Sequence, residues 1–374
     1  MSEVRSFVAD DLGSVAEMFH RNLRKKNDAA TDDLRAYLRT LFLENKSIHQ
    51  DIRSKVYIRE DGRVSGFLGV LPVAMELRDR QIEAAVCSSF VAEDRETDPF
   101  AGARLLREVL AGPQELTFGE TINDVSTEMW KTMRGQMLAP YSLDWLRVLR
   151  PASFGLEIAT SRFSGGLRVL SPFGKFIDKS ILSRVSRRAL SYYVPLPDRA
   201  DSFTDEAAGD AEFARLACDL VRNFPLHPVW SEENLLTMLH HAKRKRLHGE
   251  AVQRIVKNKG DRPVGLFLYH GDSGGVGRTV QIMAVPGQEQ IVIDRLIRNA
   301  FDRGLVAIRG RTQPALLQAM IGRKCMFLHA SSTIVHSRDP DLVKAATDGT
   351  AFFNGLCGES WTRLIGDSFD EAGT

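Results

Sequence analysis

The sequence predicts an α/β (α+β) protein of two tandem domains, each a mixed, mostly antiparallel sheet flanked by helices. Three observations lead there. At 374 residues the chain exceeds the size at which one hydrophobic core usually divides. Apolar runs with two-residue alternation interleave with runs of helical spacing, hairpins first and a β-α-β-α-β unit after them. The same order then occurs a second time. The expected division is 1–150, a linker over 151–205, and 206–374.

The first half begins with "VRSFVADDLGSVAEMF", a short strand followed by a helix. Asp10 or Asp11 can cap the free N–H groups of its first turn, and Leu12, Val15, Ala16 and Phe19 recur at helical spacing. A second helix is expected from Thr31, as its cap, to Glu44. "SKVYIREDGRVSGFLGVLPVAMELRDRQIEAAVCSSFVA" reads as three strands, with tight turns at Asp61-Gly62 and Asp79-Arg80. A helix is expected from about Pro99, a strand over "ELTFGET", a helix from Asn123 (its cap) to Met133, and a closing strand over "YSLDWLRVL".

Residues 151 to about 210 interrupt the pattern. "KFIDKSILSRVSRRALSYY" is a basic helix with Ile177, Ile181, Leu182, Val185 and Leu190 on one broad face. It suits packing between domains or peripheral contact with an anionic membrane through 175–193. Beyond it, two helices, three strands and a helix-strand-helix-strand series follow, ending in "MFLHASSTIVHS". "FFNGLCGESW" is expected to be a terminal strand, with closure over a cleft as the alternative.

The repeat can be checked by spacing. Arg104-Leu105-Leu106-Arg107 matches Arg295-Leu296-Ile297-Arg298, Thr121 matches Thr312, and Met129 matches Met320, all at a shift of 191. Upstream, Gly66-Phe67-Leu68 matches Gly265-Leu266-Phe267 at 199. One constant shift across a helix, a strand end and the next helix marks a duplication.

Composition narrows the function. Hydrophobic content of 43% and charged content of 26% are ordinary for a globular domain, and a net charge of +2 gives no reason to expect a nucleic-acid partner. The four cysteines are widely spaced with no C-x-x-C pair, which fits reduced core thiols and a cytoplasmic setting. No apolar run reaches the ~18 residues of a membrane span, and the N-terminus has no apolar signal-like core. His240 and His241 are adjacent, so on a helix they diverge by about 100° and make no metal pair. "AKRKR" reads as a solvated helix face. "GDSGGVG" lies between strands and precedes no helix, so no phosphate-binding P-loop is expected.

The order of these elements resembles the GNAT N-acyltransferase family, in tandem, over about 1–150 and 205–355. The carriers are "VRSFVADDLGSVAEMF", the hairpin "IREDGRVSGFLG" and "NDVSTEMWKTMRG…PYSLDWL". The resemblance implies two GNAT-like domains and transfer of an acyl group, in the first instance acetyl, from acyl-CoA to a small-molecule or peptide amine. No metal is implied. In this family the central strand splays open and the following helix start holds the CoA pyrophosphate, a place where free N–H groups suit an anion. The implied cofactor-binding residues are Phe90, Val91, Asp98, Phe100, Ala101, Gly102, Ala103 and Asn123. The family pattern R/Q-x-x-G-x-G/A is met only at Gly102: Phe100 stands at the central glycine, and Asp98 adds a negative charge. In the second half only Gly287, with Glu289 near the helix start, stands at the comparable joint, so acyl-CoA is expected in the first domain and the acceptor between the two.

The proton-transfer candidates are Glu120 at a strand end, Glu83 on the strand that often carries the family's base, and Tyr141. Cys87 shares the strand with Glu83. Trp130 stands where the family often has a tyrosine acid, and Met320 stands there in the repeat. Two other readings belong to different classes: a catalytically silent GNAT-fold protein that binds a ligand or partner, and a Fem-like aminoacyl transferase of the cell envelope.

Overall fold

Leucine, valine and alanine at helical spacing bury one face of α1 (Leu12–Asn22) and α2 (Asp32–Phe42), which follow strand β1 (Glu3–Ser6). The computed structural model describes residues 2–44, 51–93, 96, 98–155 and 202–369; the basic stretch 175–193, and Asp94 and Thr97 of the β-to-α joint, lie outside them. Thr31 caps α2 by accepting from the Leu34 N–H. Asp11 does not cap α1: its carboxylate accepts from the Val8 N–H and from the Arg5 guanidinium. Strands β2 (Lys55–Ile58), β3 (Val64–Leu77) and β4 (Arg80–Ala92) follow as expected. The β3–β4 turn sits one residue earlier than read, at Arg78-Asp79. Both have positive φ, 49° and 70°, the geometry of a two-residue hairpin turn whose twist matches the strands.

The remaining elements of the first half are α3 (Ala101–Leu110), β5 (Leu116–Ile122), α4 (Asp124–Thr132), β6 (Gln136–Met137) and β7 (Leu143–Val148). The second half has β8 (Thr204–Ala207), α5 (Asp210–Val221), β9 (Leu226–Pro228), α6 (Glu232–Ala242), β10 (Ala251–Lys257), β11 (Pro263–His270) and β12 (Val276–Ala284). It continues with α7 (Glu289–Asp302), β13 (Ala307–Arg311), α8 (Pro314–Gly322), β14 (Met326–His329), β15 (Ser332–Ser337) and α9 (Pro340–Thr347).

The strands form two mixed, mostly antiparallel sheets. The first runs β1-β2-β3-β4-β5-β15-β6, with β9 added at β3. The second, in the matching direction, runs β8-β10-β11-β12-β13-β7-β14. The orders coincide, and among the described residues the one parallel strand pair in each sheet is the fourth with the fifth, β4 with β5 and β12 with β13. Arg104 and Arg295 therefore lie on equivalent helices, α3 and α7, and Met129 and Met320 on α4 and α8. Gly66 and Gly265 hold equivalent places under those helices. A side chain on either would collide with Leu105 of α3 or Val292 of α7.

Two expectations are corrected. Leu143–Val148 does not close the first sheet: β7 pairs with β13 and β14 of the second. "MFLHASSTIVHS" is not one strand: β14 stays in the second sheet, and β15 crosses into the first to pair with β5 and β6. The halves thus exchange one strand each. At the crossing, positions 191 apart touch one another. The Thr333 N–H donates to Ser142 Oγ at 2.9 Å, and Arg311 Nη2 donates to the Glu120 carbonyl at 2.6 Å. Contact between equivalents is what a two-fold relation produces on its axis.

One apolar core spans both halves. Phe67, Leu71, Val86 and Phe118 of the first sheet share it with Leu266, Leu268 and Met283 of the second, with α1, α2, α5 and α6 between them. The opposite faces pack on α3 and α4 in the first half and on α7 and α8 in the second. The segment 351–369 is not a terminal strand. It threads between the sheets, with Phe352, Phe353, Leu356 and Phe369 buried in the shared core. Its path is fixed by polar contacts: Asn354 Nδ2 donates to the Tyr141 and Thr312 carbonyls, and Lys245 Nζ to the Thr362 and Ile365 carbonyls. Lys245, at 2% exposure, is thus an anchor rather than part of a solvated face. Burial pushes its pKa down to about 8, against the pull of Glu120, Glu359 and Asp367. His241 is likewise packed, against the rings of Tyr37 and Trp361, and burial lowers its pKa to about 4.

Candidate active site

Strands β4 and β5 run parallel and pair at Ala84–Leu116, Ala85–Thr117 and Val86–Phe118. Beyond that point both continue, to Ala92 and Ile122, without pairing to each other. The cause is local. The register of β4 against β3 slips by one residue between Gly69–Ser88 and Phe67–Val91, and Ser89 has φ of 56°. A bulge of this kind bends the strand that carries it, and β4 swings away from β5.

The opening holds a cavity of about 650 Å³. Ser88, Ser89 and Phe90 line it from β4, and Thr121 and Ile122 from β5. Leu68, Cys87 and Trp130 supply apolar surface, and Asn123 and Ser126 bring the start of α4 to its edge. Asn123 caps α4, its Oδ1 accepting from the Ser126 N–H at 2.9 Å. The far wall is Phe19 of α1, the residues just after it (Leu23, Arg24 and Lys26), Leu247 and the segment 364–368.

Glu359 reaches into this opening. Its carboxylate accepts hydroxyls from both splayed strands, Ser88 Oγ of β4 at 2.7 Å and Thr121 Oγ1 of β5. It is 7% exposed. Burial raises its pKa, the hydroxyls of Thr121 and Ser88 oppose the rise, Glu120 adds to it and Lys245 opposes it. A carboxylate so placed takes up a proton more readily than one in water. Sequence reasoning missed it, because "FFNGLCGESW" carries neither strand alternation nor a helix cap.

The expected proton-transfer residues lie elsewhere. Glu120 is 1% exposed and turned from the cavity towards the segment 355–360. Its Oε1 accepts from the Gly355 N–H at 2.9 Å and Ser360 Oγ at 2.7 Å. Its Oε2 accepts from the Glu359 and Ser360 N–H groups at 3.0 and 3.2 Å. Two donors on each oxygen fill a carboxylate's acceptor positions, so Glu120 is an anchor and not the base. Glu83 sits at the closed end of the β4–β5 pair, one residue before Ala84, remote from the opening. Tyr141 is buried and donates to the Ala351 carbonyl at 2.7 Å, and desolvation pushes its phenol above the usual range.

Of the expected cofactor residues, Phe90 and Asn123 line the cavity. Val91 is in the core opposite Phe67. Ala101 and Gly102 are buried in the first turn of α3, half-buried Ala103 follows, and Phe100 is 64% exposed at its start. Gly102 faces the Phe90 ring: a Cβ there would lie 3.4 Å from it. Asp98 is held by Tyr57, whose Oη donates to it, with Arg104 at 4.0 Å. Trp130, in the position of the expected tyrosine, is 1% exposed and packs on Leu68, Cys87 and Ile334.

The equivalent opening in the second sheet is filled. Pairing of β12 with β13 ends at Arg278–Arg309, and Asn354, Gly355, Gln281 and Arg311 close the gap beyond it to about 10 Å³. A second, separate cavity of about 440 Å³ lies between the halves, bounded by α2, β3, α6 and residues 356–358 and 361. Among the described residues no group of three histidine, cysteine, aspartate or glutamate side chains could hold a metal, and no helix is long and apolar enough to cross a membrane.

No family model matches the sequence, and no curated protein matches it. Solved structures do. A protein of Enterococcus faecalis V583 described as a probable N-acyltransferase aligns with a TM-score of 0.57 at 9% identity, over 90% of this chain and 73% of its own. A GCN5-related N-acetyltransferase from Anabaena variabilis ATCC 29413 gives 0.58 at 9% identity, over 91% and 74%. Another from Kribbella flavida gives 0.51 at 11%, over 91% and 72%. With two sheets of one strand order, each parted between its fourth and fifth strands, the chain has the fold of the GCN5-related N-acetyltransferases, in tandem.

Proposed function

We propose that the protein transfers an acyl group from acyl-CoA to an amine, in the opening between β4 and β5, with Glu359 as general base. The observation that carries this reading is the Glu359 carboxylate set between the two parted strands. The thioester would lie along the opening, with the start of α4 and the joint before α3 towards the CoA phosphates. Glu359 takes a proton from the amine as nitrogen attacks the carbonyl carbon. The C–S bond then breaks, and the same carboxyl group can return that proton to the departing thiolate. No tyrosine is needed for this route.

The acceptor is assigned to the cavity between the halves. Cys357 and Gly358 line that cavity and Glu359 the other, so the acceptor's body would fill the first while its amine passes this short segment to meet Glu359 and the thioester. Trp230 and Trp361 offer aromatic faces there, and Glu44 and Glu233 are the charged groups among its described lining. This favours an amine with an apolar body that arrives as its ammonium and releases one proton to solvent before nitrogen attacks.

Calorimetric titration with acetyl-CoA should give one site per chain. CoA release with 2-phenylethylamine as acceptor should fall about 10²-fold in Glu359→Gln, on the general-base scale, with acetyl-CoA affinity kept. Turnover unchanged in that variant removes Glu359 from the mechanism. A second reading, ligand binding without turnover, is favoured by Trp130 at the tyrosine position. One-site binding with no acyl transfer to any of a panel of primary amines would select it.

A further inference from the structure

We propose that Glu120 is a positioning residue for this reaction: its carboxylate folds residues 355–360 so that Glu359 is delivered into the opening between β4 and β5. The inference rests on the acyl-transfer reading above and adds a part that reading does not require.

Gly355, Glu359 and Ser360 turn their N–H groups onto a single carboxylate, and the Ser360 hydroxyl completes the set. A chain wrapped round an anion in this way has little freedom left, because charge-assisted hydrogen bonds are short and directional. One of the four donors is the backbone N–H of Glu359 itself, so the Glu120 side chain sets where the Glu359 backbone sits. Gly358 makes the close approach possible: a side chain there would collide with the Glu120 carboxylate. Glu120 is itself held from behind, its carbonyl taking Arg311 Nη2 from the second half. The chain of support runs from β13 through the end of β5 to the loop, and from the loop to Glu359. Glu120 lies outside the cavity lining, so it acts only through Glu359.

Charge acts in the same place. The titratable groups that act on Glu359 or touch it are Glu120 on β5, Lys245 after α6 and Cys87 on β4, with Ser88 and Thr121 as hydroxyl donors, and Arg24, Lys26 and Asp367 line the same cavity. Glu120 pushes the proton affinity of Glu359 up, and Lys245 pushes it down. Glu120→Gln removes the first effect and leaves the second. It also presents an amide N–H₂ to backbone N–H donors. A base works only when deprotonated, so its turnover rises with pH through its own titration. Lowering the pKa of Glu359 therefore moves that rising limb to lower pH.

The test uses the full chain, acetyl-CoA and 2-phenylethylamine. Glu120→Gln should bind acetyl-CoA within about threefold of the unaltered protein and lose on the order of 10²-fold in kcat, the scale of a misplacement near 1 Å. The rising limb of kcat should move down by about one pH unit. Ser360→Ala removes one donor and keeps the carboxylate; it should lose about tenfold with the limb nearly in place. A carbon-13 titration of glutamate-labelled protein, with Glu359 assigned by its loss in Glu359→Gln, should show the same downward shift in Glu120→Gln without any acceptor. Unchanged kcat and an unmoved Glu359 titration in folded Glu120→Gln overturn the proposal while leaving Glu359 as base. If Glu120→Gln does not fold, Ser360→Ala at full kcat overturns it. Full turnover in Glu359→Gln would instead bring down the reading of the site.

Discussion

A carboxylate serves as a base only where a lone pair is left over, and at the end of β5 none is. The strand-end position of Glu120 tells its place but not its direction. A strand-end acid belongs near the opening, but side-chain direction depends on what packs there, and the partner segment is more than two hundred residues away in sequence. Only the glycines at 355 and 358, just before an acid, could have hinted that this stretch makes close backbone approaches. The same logic gives a prediction of opposite sign to that for Glu120. Thr121→Val removes a hydroxyl that favours ionised Glu359. Its pKa should rise further, so the rising limb of kcat should move to higher pH by about one unit, the size of one hydrogen bond to a charged group; no upward movement would count against Glu359 as the titrating base. Stability follows from the same residue. The pKa of Glu359 is raised in the fold, so its contribution is present below the ordinary carboxylate range and lost as pH rises through the raised value. Glu359→Gln carries no charge at any pH. It should melt at a higher temperature than the unaltered protein at pH 8 and lose that advantage near pH 4.5, as scanning calorimetry at the two values would show.

Elements were legible where their causes are local. Thr31 and Asn123 cap their helices as read, because a cap needs only a side chain and an N–H three residues on. The hairpin of β3 and β4 follows from alternation and a two-residue turn. The break inside "MFLHASSTIVHS" was not legible, since the apolar pattern is the same whether one sheet or two receive it. The parting of β4 from β5 was expected only by resemblance; its physical cause, a bulge at Ser89, leaves no mark in the alternation. That geometry makes Gly102 testable. Its neighbour is the Phe90 ring rather than empty space, so a methyl group fits in ordinary contact while a longer side chain must displace Phe90 into the cavity. Gly102→Ala should keep stability and acetyl-CoA affinity, and Gly102→Leu should weaken acetyl-CoA by at least about tenfold, equivalent to roughly 1.4 kcal/mol. Equal affinities in calorimetry would separate Gly102 from the site. Against the second sheet, Gly355 has φ of 63° and sits on Gln281 and the Val280 carbonyl. Gly355→Ala should therefore cost more than about 1 kcal/mol, from strain and crowding together.

At the scale of the molecule, the constant shift of 191 foretold two sheets of one design, and the matching strand orders bear that out. It could not foretell the exchange. Because β7 and β15 are equivalent positions in the repeat, each satisfies the pattern of either sheet, and the sequence is blind to which one it joins. The exchange has a mechanical consequence. β7 is hydrogen-bonded between β13 and β14, and β15 between β5 and β6, so neither sheet can come apart without pulling a strand of the other half. The shared core adds to this, since Phe118, Met283 and Phe353 belong to one cluster drawn from both halves and the C-terminal segment. The two halves should unfold as one cooperative unit. Trp130 reports on the outer face of the first sheet and Trp145, on β7, on the outer face of the second. In two variants, each keeping only one of these and carrying phenylalanine at the other three tryptophans, urea transitions followed by fluorescence should coincide with the transition followed by circular dichroism on the same protein. Neither variant should show a plateau between native and unfolded baselines. A fluorescence midpoint that departs from the circular dichroism midpoint in either variant would mean that one sheet survives without the other, and that the exchanged strands do not couple the halves.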